Sequence, residues 1–165
     1  LFYSDFSSGI SISIWANVAT GSGNWSRLID FGNGNENNNI LIAVFGGDPS
    51  KMCMQIWDGN GLGTDVQILG DIAFDQWKLY TLVGDGTNYY WYVNDQLVTT
   101  LSGIGFLPNG VPRSGSWCRI GGSDWETIYD WNLKGSIASV EMYNKVLSST
   151  EVTGLYNQRK GRFGL

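Results

Sequence analysis

Near its start the chain alternates with a period of two. "ISISIWANV" puts Ile10, Ile12, Ile14, Ala16 and Val18 on one face and Ser11, Ser13, Trp15 and Asn17 on the other. That is the pattern of a strand whose two faces meet different surroundings. Further strand candidates follow at Leu28–Phe31, Ile40–Phe45, Met52–Trp57, Val66–Leu69, Trp77–Val83, Tyr89–Val93, Gln96–Leu101, Trp117–Ile120 and Ile137–Tyr143. Turn clusters such as "GNGNENNN", "DGNGLG", "GDGTN" and "VND" separate them. Short strands at regular spacing with such turns predict an all-β fold, a two-sheet antiparallel β-sandwich. One short C-terminal helix is expected as well. Ser148 followed three residues later by Glu151 makes a capping box. Val152, Leu155 and Tyr156 then share a face that can pack on a sheet. The pattern predicts a helix over 148–157, acting as a lid on an open end of the sandwich.

Composition agrees with a β-domain. The 165 residues suffice for a single domain, and 23 glycines, 14% aromatics and only 15% charged residues suit strands and turns better than helices. A net charge of −5 argues against nucleic acid, whose phosphates require clustered Lys and Arg. No apolar run approaches a membrane span. The chain carries neither an initiator Met nor a signal peptide and reads as a piece of something longer. There is no histidine, which removes Ser-His and Cys-His nucleophile pairs and every imidazole zinc site. For Cys53 and Cys118, a single bridge and two separate thiols both fit.

The acids and aromatics narrow the chemistry further. A retaining glycoside hydrolase needs two carboxylates about 5–5.5 Å apart, hence acids at i and i+2 or i+4 on one strand face. No strand candidate has such a pair. Asp58, Asp65, Asp71, Asp75, Asp85, Asp95, Asp124 and Asp130 are expected in loops, densest in "DWETIYD". The chain is therefore read as no enzyme. Loop oxygens suit a hard cation such as calcium. Trp25, Trp57, Trp125, Tyr129 and Trp131 fall in or beside predicted loops, whereas Trp15, Trp77 and Trp91 are assigned to the core. Amphipathic rings beside Asn and Asp suit sugars, which stack their C–H faces and bond through hydroxyls. Trp25, Trp125, Tyr129 and Trp131 are the candidate ligand-binding residues. "NWS" makes Asn24 an N-glycosylation candidate, consistent with an extracellular, secreted or surface-displayed setting.

The segment "IASVEMYNKVLSSTEVTGLY", residues 137–156, resembles the closing segment of the concanavalin A-like jelly rolls of the laminin G and pentraxin-like group. There a final strand runs into a short Leu-Ser-x-x-Glu helix ending in an aromatic. "FDQWKLYTLVGDGTNYYWYVNDQLV" is similar to the group's paired strands, with Asp95 where a Gly is usual; "SISIWANV" and "RLIDFGNGNENNNILI" fit the same scheme. The resemblance implies a calcium site at Asn37 and Asn38, ahead of the Ile40-Leu41-Ile42 strand, with Asp124 and Glu126 from a second loop; Asp30, at the adjacent strand end, is a further candidate ligand. Neutral Asn37 replaces the group's usual Asp. The group also carries an extra N-terminal strand, so residues 1–165 are expected to be a fragment lacking it, or to receive it from a neighbour at the sheet edge of Ile10–Val18. Two functions compete. One is a non-catalytic extracellular lectin-like module that recognises a carbohydrate or glycoprotein ligand with the help of calcium. The other is a structural subunit of an extracellular filament or viral assembly, built by self-association through an open sheet edge.

Overall fold

The computed structural model describes residues 5–57, 64–108, 113, 115–123, 125 and 130–165. The strands are β1 (Ile10–Val18), β2 (Arg27–Phe31), β3 (Ile40–Val44), β4 (Lys51–Trp57), β5 (Thr64–Asp71), β6 (Trp77–Gly84), β7 (Asn88–Val93), β8 (Gln96–Ser102), β9 (Cys118–Ile120) and β10 (Gly135–Tyr143). A helix α1 (Ser149–Arg159) and a 3-10 turn at Lys160–Phe163 close the chain. The strands form two antiparallel five-stranded sheets, ordered β10-β1-β6-β7-β8 and β5-β4-β3-β2-β9. Every strand candidate is found, with ends moved by a residue or two.

The alternation explains the layering. Ile10, Ile12, Ile14, Ala16 and Val18 of β1 join Tyr80, Leu82, Tyr89 and Trp91 on the inner face of the first sheet. They meet Ile40, Ile42, Val44, Met52, Met54, Ile56 and Ile68 from the second. Each buried Ile, Leu, Val or Met among them contributes about 1.5–3 kcal/mol by leaving water. Gly70 is glycine for a packing reason: a Cβ there would stand 2.5 Å from the Trp91 indole, which crosses the gap between the sheets.

Three expectations are corrected. First, β1 is no edge. It lies between β10 and β6, with Ile12 opposite both Met142 and Leu82. The outermost strands are β10, β8, β5 and β9. Second, Asp65 and Asp71 belong to β5 and not to loops. Third, α1 does not cap an end of the sandwich but covers the outer face of the first sheet. Val152 packs with Val83, Tyr92 and Leu147. Tyr156 stacks on Trp15 at 5.9 Å, and Phe163 stacks on Trp15 and Trp77 at 4.5 Å each. Trp15 is therefore buried, and Trp77 half-buried, outside the inter-sheet core to which the sequence assigns them, against the helix and the turn after it.

The helix start is the predicted capping box. Glu151 N donates to Ser148 Oγ at 3.2 Å, and Ser148 N donates to Glu151 Oε2 at 2.8 Å. Beneath the helix the outward serines of β1 are satisfied. Ser11 Oγ donates to Lys145 O at 2.8 Å and accepts from Leu147 N at 3.0 Å, while Ser13 and Thr81 hydroxyls lie 3.1 Å apart. No disulfide joins Cys53 and Cys118. Cys53 is buried on the outer face of β4, where burial pushes its thiol up to about 12. Cys118 lines a cleft of about 370 Å³ between the β9 and β10 edges, with Phe31, Ile120, Val140 and Met142. Among the described residues no helix is long and apolar enough to cross a membrane.

Candidate functional site

With α1 on the first sheet, the outer face of the second sheet becomes the surface of interest. The register places Arg27, Ala43, Cys53 and Leu69 in one row across it, and Asp30, Leu41, Gln55 and Gln67 in the next. Gln55 Nε2 donates to Gln67 Oε1 at 2.6 Å. Half-buried rings roof these rows. Trp25 meets Phe45 edge-on at 5.5 Å and 86°, and Trp57 meets Trp125 at 5.3 Å and 64°. Such edge contacts suit the quadrupoles of the rings.

Local backbone sets the Trp25 ring. Trp25 adopts φ 57°, in the left-handed region, and its N–H donates to Val44 O at 3.0 Å. Gly46 makes room for the indole, since a Cβ there would sit 2.0 Å from Trp25 Nε1.

Arg27 lies beneath the roof. Its guanidinium carbon is 5.3 Å from the ring centres of both Trp25 and Trp125, and the side chain is 1% exposed. A buried cation is tolerated only when paired. Arg27 Nε faces Asp30 Oδ2 at 3.5 Å, and Nη2 donates to Asp130 Oδ2 at 3.2 Å. Asp30 Oδ1 accepts the Asn39 amide at 2.9 Å, and Asp130 Oδ2 also accepts the Ser123 hydroxyl at 3.1 Å. Arg27 and Asp30 are three apart, an odd separation that would normally put them on opposite faces of a strand. A register shift between Arg27 and Ile29 brings them to one face. Arg27 Nη1 and the indole Nε1 atoms of Trp57 and Trp125 are buried without a hydrogen-bond acceptor among the described residues.

The sequence candidates fall out unevenly. Trp25 and Trp125 come together around Arg27. Trp131, 53% exposed, lies against Gly23, where a Cβ would stand 3.0 Å from its Cγ. It borders the same loop as exposed Asn24, whose sequon partner Ser26 is buried. Tyr129, Asp124 and Glu126 lie outside the described residues. Phe45, Arg27 and Asp130 are not among the sequence-based ligand candidates, and Trp57 enters only as one of the aromatics beside loops. The signal for Trp57 was its place at a strand end; for Arg27 there was none without the bulge.

The Asn37–Asn38 loop chiefly braces itself. Asn37 N donates to Asn39 Oδ1 at 2.7 Å, Asn38 Nδ2 donates to Asn37 Oδ1 at 2.9 Å, and Asn38 O accepts from Arg113 Nε at 2.9 Å. Calcium takes six to eight oxygens, with carboxylates foremost. Here Asp30 faces a guanidinium and an amide. The described residues contain no group of three or more His, Cys, Asp or Glu side chains able to hold a metal. By themselves they do not fit a calcium ion.

A family model for the concanavalin A-like lectin/glucanases superfamily matches residues 3–153. No curated protein sequence matches the chain. Among solved structures, the chain is similar to the Ruminococcus gnavus IT-sialidase CBM40 bound to alpha2,3 sialyllactose, with TM-score 0.68 and 19% identity over 90% of this chain and 82% of that one. It is also similar to the NanB sialidase from Streptococcus pneumoniae, with TM-score 0.69 and 20% identity over 88% of this chain and 23% of that one. The botulinum neurotoxin serotype G binding domain gives TM-score 0.68 and 18% identity over 96% of this chain and 38% of that one. At these identities the likeness is one of fold.

Proposed function

Because this chain belongs to the concanavalin A-like lectin/glucanases superfamily, we propose that it is a non-catalytic carbohydrate-binding module acting outside the cell. Its binding face is the outer side of β5-β4-β3-β2-β9. The observation that carries this reading is the half-buried roof of Trp25, Phe45, Trp57 and Trp125 over a buried, fixed Arg27. Such rings offer flat apolar area to a sugar, while the neighbouring Gln67 amide bonds to its oxygens. Asp30 and Asp130 hold Arg27 instead of standing free as an acid and a base, which favours binding over hydrolysis. The similar CBM40 in complex with sialyllactose supports a carbohydrate ligand.

The test is a glycan array followed by calorimetric titration of the best ligand with wild type, Trp57→Ala and Trp125→Ala. Loss of a stacking ring is expected to weaken binding about tenfold, in the range of one aromatic contact. No retained glycan, or variants that bind as wild type does, would refute the reading. The apolar cleft between β9 and β10, bordered by the 60% exposed Ile120, favours a second reading as an assembly subunit. Concentration-dependent oligomers lost on Ile120→Lys would support it.

A further inference from the structure

We infer, resting on the carbohydrate-binding reading above, that this face takes an uncharged, hydroxyl-bearing saccharide and discriminates against carboxylated sugars, with the Asp30–Arg27–Asp130 triad as the determinant. A sugar carboxylate is recognised by a cation with charge to spare. Arg27 has none. It is 1% exposed and sits between two carboxylates that are themselves 0% and 4% exposed. Arg119, exposed on β9, stands opposite Asp30 in the register, so this part of the face counts two arginines to two carboxylates. At the far end of the face Lys51 is paired with Asp71.

Among the described residues, then, the face presents no cation in excess. The whole chain carries −5. An arriving carboxylate would find Arg27 already flanked by Asp30 and Asp130, and like charges in a poorly solvated site repel strongly. The remaining donors point the same way. The side-chain amide of exposed Gln67 is neutral, and sugar hydroxyl and ring oxygens suit its N–H groups without adding a negative charge.

The experiment uses a glycan array holding matched sialylated and desialylated members, with the strongest pair then titrated against wild type and Asp130→Asn. Wild type is expected to bind the desialylated member at least as tightly as its sialylated partner. Asp130→Asn keeps the shape of the side chain but leaves Arg27 with one carboxylate. It is expected to raise the ratio of sialylated to neutral affinity about fivefold, the effect of one charge removed at several ångströms under partial screening. Asp30→Asn, whose Oδ1 already accepts an amide, serves the same purpose if Asp130→Asn does not fold. A triad that only braced the rings would weaken both members equally and leave the ratio unchanged, which would overturn the inference. A wild-type preference of tenfold or more for the sialylated member would overturn it too, while leaving the carbohydrate reading in place. Failure to retain either member would sink both.

Discussion

Replacing Arg27 by methionine tests the centre of the site. Methionine keeps a long stem between Trp25 and Trp125 but removes the guanidinium. Asp30 and Asp130 then remain almost fully buried, at 0% and 4% exposure, with no cation between them. Removing one partner of a buried ion pair costs about 3–5 kcal/mol. Asp30 retains the Asn39 amide and Asp130 the Ser123 hydroxyl, which favours the lower end. For a domain of this size about 3 kcal/mol lowers the melting temperature by roughly 6–12 °C. The assay is paired urea and thermal unfolding at neutral pH. The double variant Arg27→Met/Asp130→Asn should recover part of the loss, because it leaves one stranded charge instead of two. The deficit should also narrow in acid, where a stranded carboxylate can take up a proton and shed its charge. A loss below about 1 kcal/mol, the size of a surface ion pair, would refute the reasoning.

Other outcomes follow from single contacts. Gly46→Ala would push its Cβ to within 2.0 Å of Trp25 Nε1, so the indole must move. Near-UV circular dichroism should change, with a stability cost of about 1–3 kcal/mol as for other overpacked sites. An unchanged spectrum would mean that Trp25 is not seated against that turn. Ser148→Ala removes the helix cap and should cost about 1 kcal/mol, read by urea unfolding. Hydrogen bonds from Lys145 and then Ser148 hold the Glu151 carboxyl at about 2, below its ordinary 4.5. A depressed folded-state value contributes stability that is complete above about 4.5 and is lost as pH falls toward 2. Glu151→Gln should remove that part of the acid limb; an unaltered limb would contradict the assignment. Millimolar calcium should leave the melting temperature unchanged, since Asp30 is engaged by Arg27 and Asn39. A rise reversed by a chelator would mean that Asp124 and Glu126 supply what Asp30 withholds.

The fold was legible wherever a local rule decides it. Alternation in "ISISIWANV" fixes which residues of β1 face the core, and Ser148 with Glu151 fixes where α1 starts. Placement of whole elements was not legible, because pairing order is set by distant partners. β1 reads the same as an edge or as a centre, and only its ladders to β6 and β10 decide. The site divides along the same line. Trp25 and Trp125 were visible as aromatics beside loops. Asp130 looked like one loop acid among many, because Arg27 is 103 residues away in the chain. Asp30 looked like a metal ligand, because the bulge that turns Arg27 toward it leaves no trace in residue types.

The two outer faces then explain each other. Ser11, Ser13 and Trp15 alternate outward from the first sheet, yet all are buried, because α1 and the turn after it cover them. That sheet has spent its outer face on folding. The second sheet buries Leu41, Ala43 and Cys53 on its outer face without a helix, beneath the loop-borne or strand-end rings of Trp25, Phe45, Trp57 and Trp125. A helix covering is closed by backbone hydrogen bonds and a capped end. A covering of separate rings anchored on turns presents half-buried edges and faces to solvent. This asymmetry, more than the fold shared with other proteins, is the ground on which the outer face of the second sheet is proposed as the binding face.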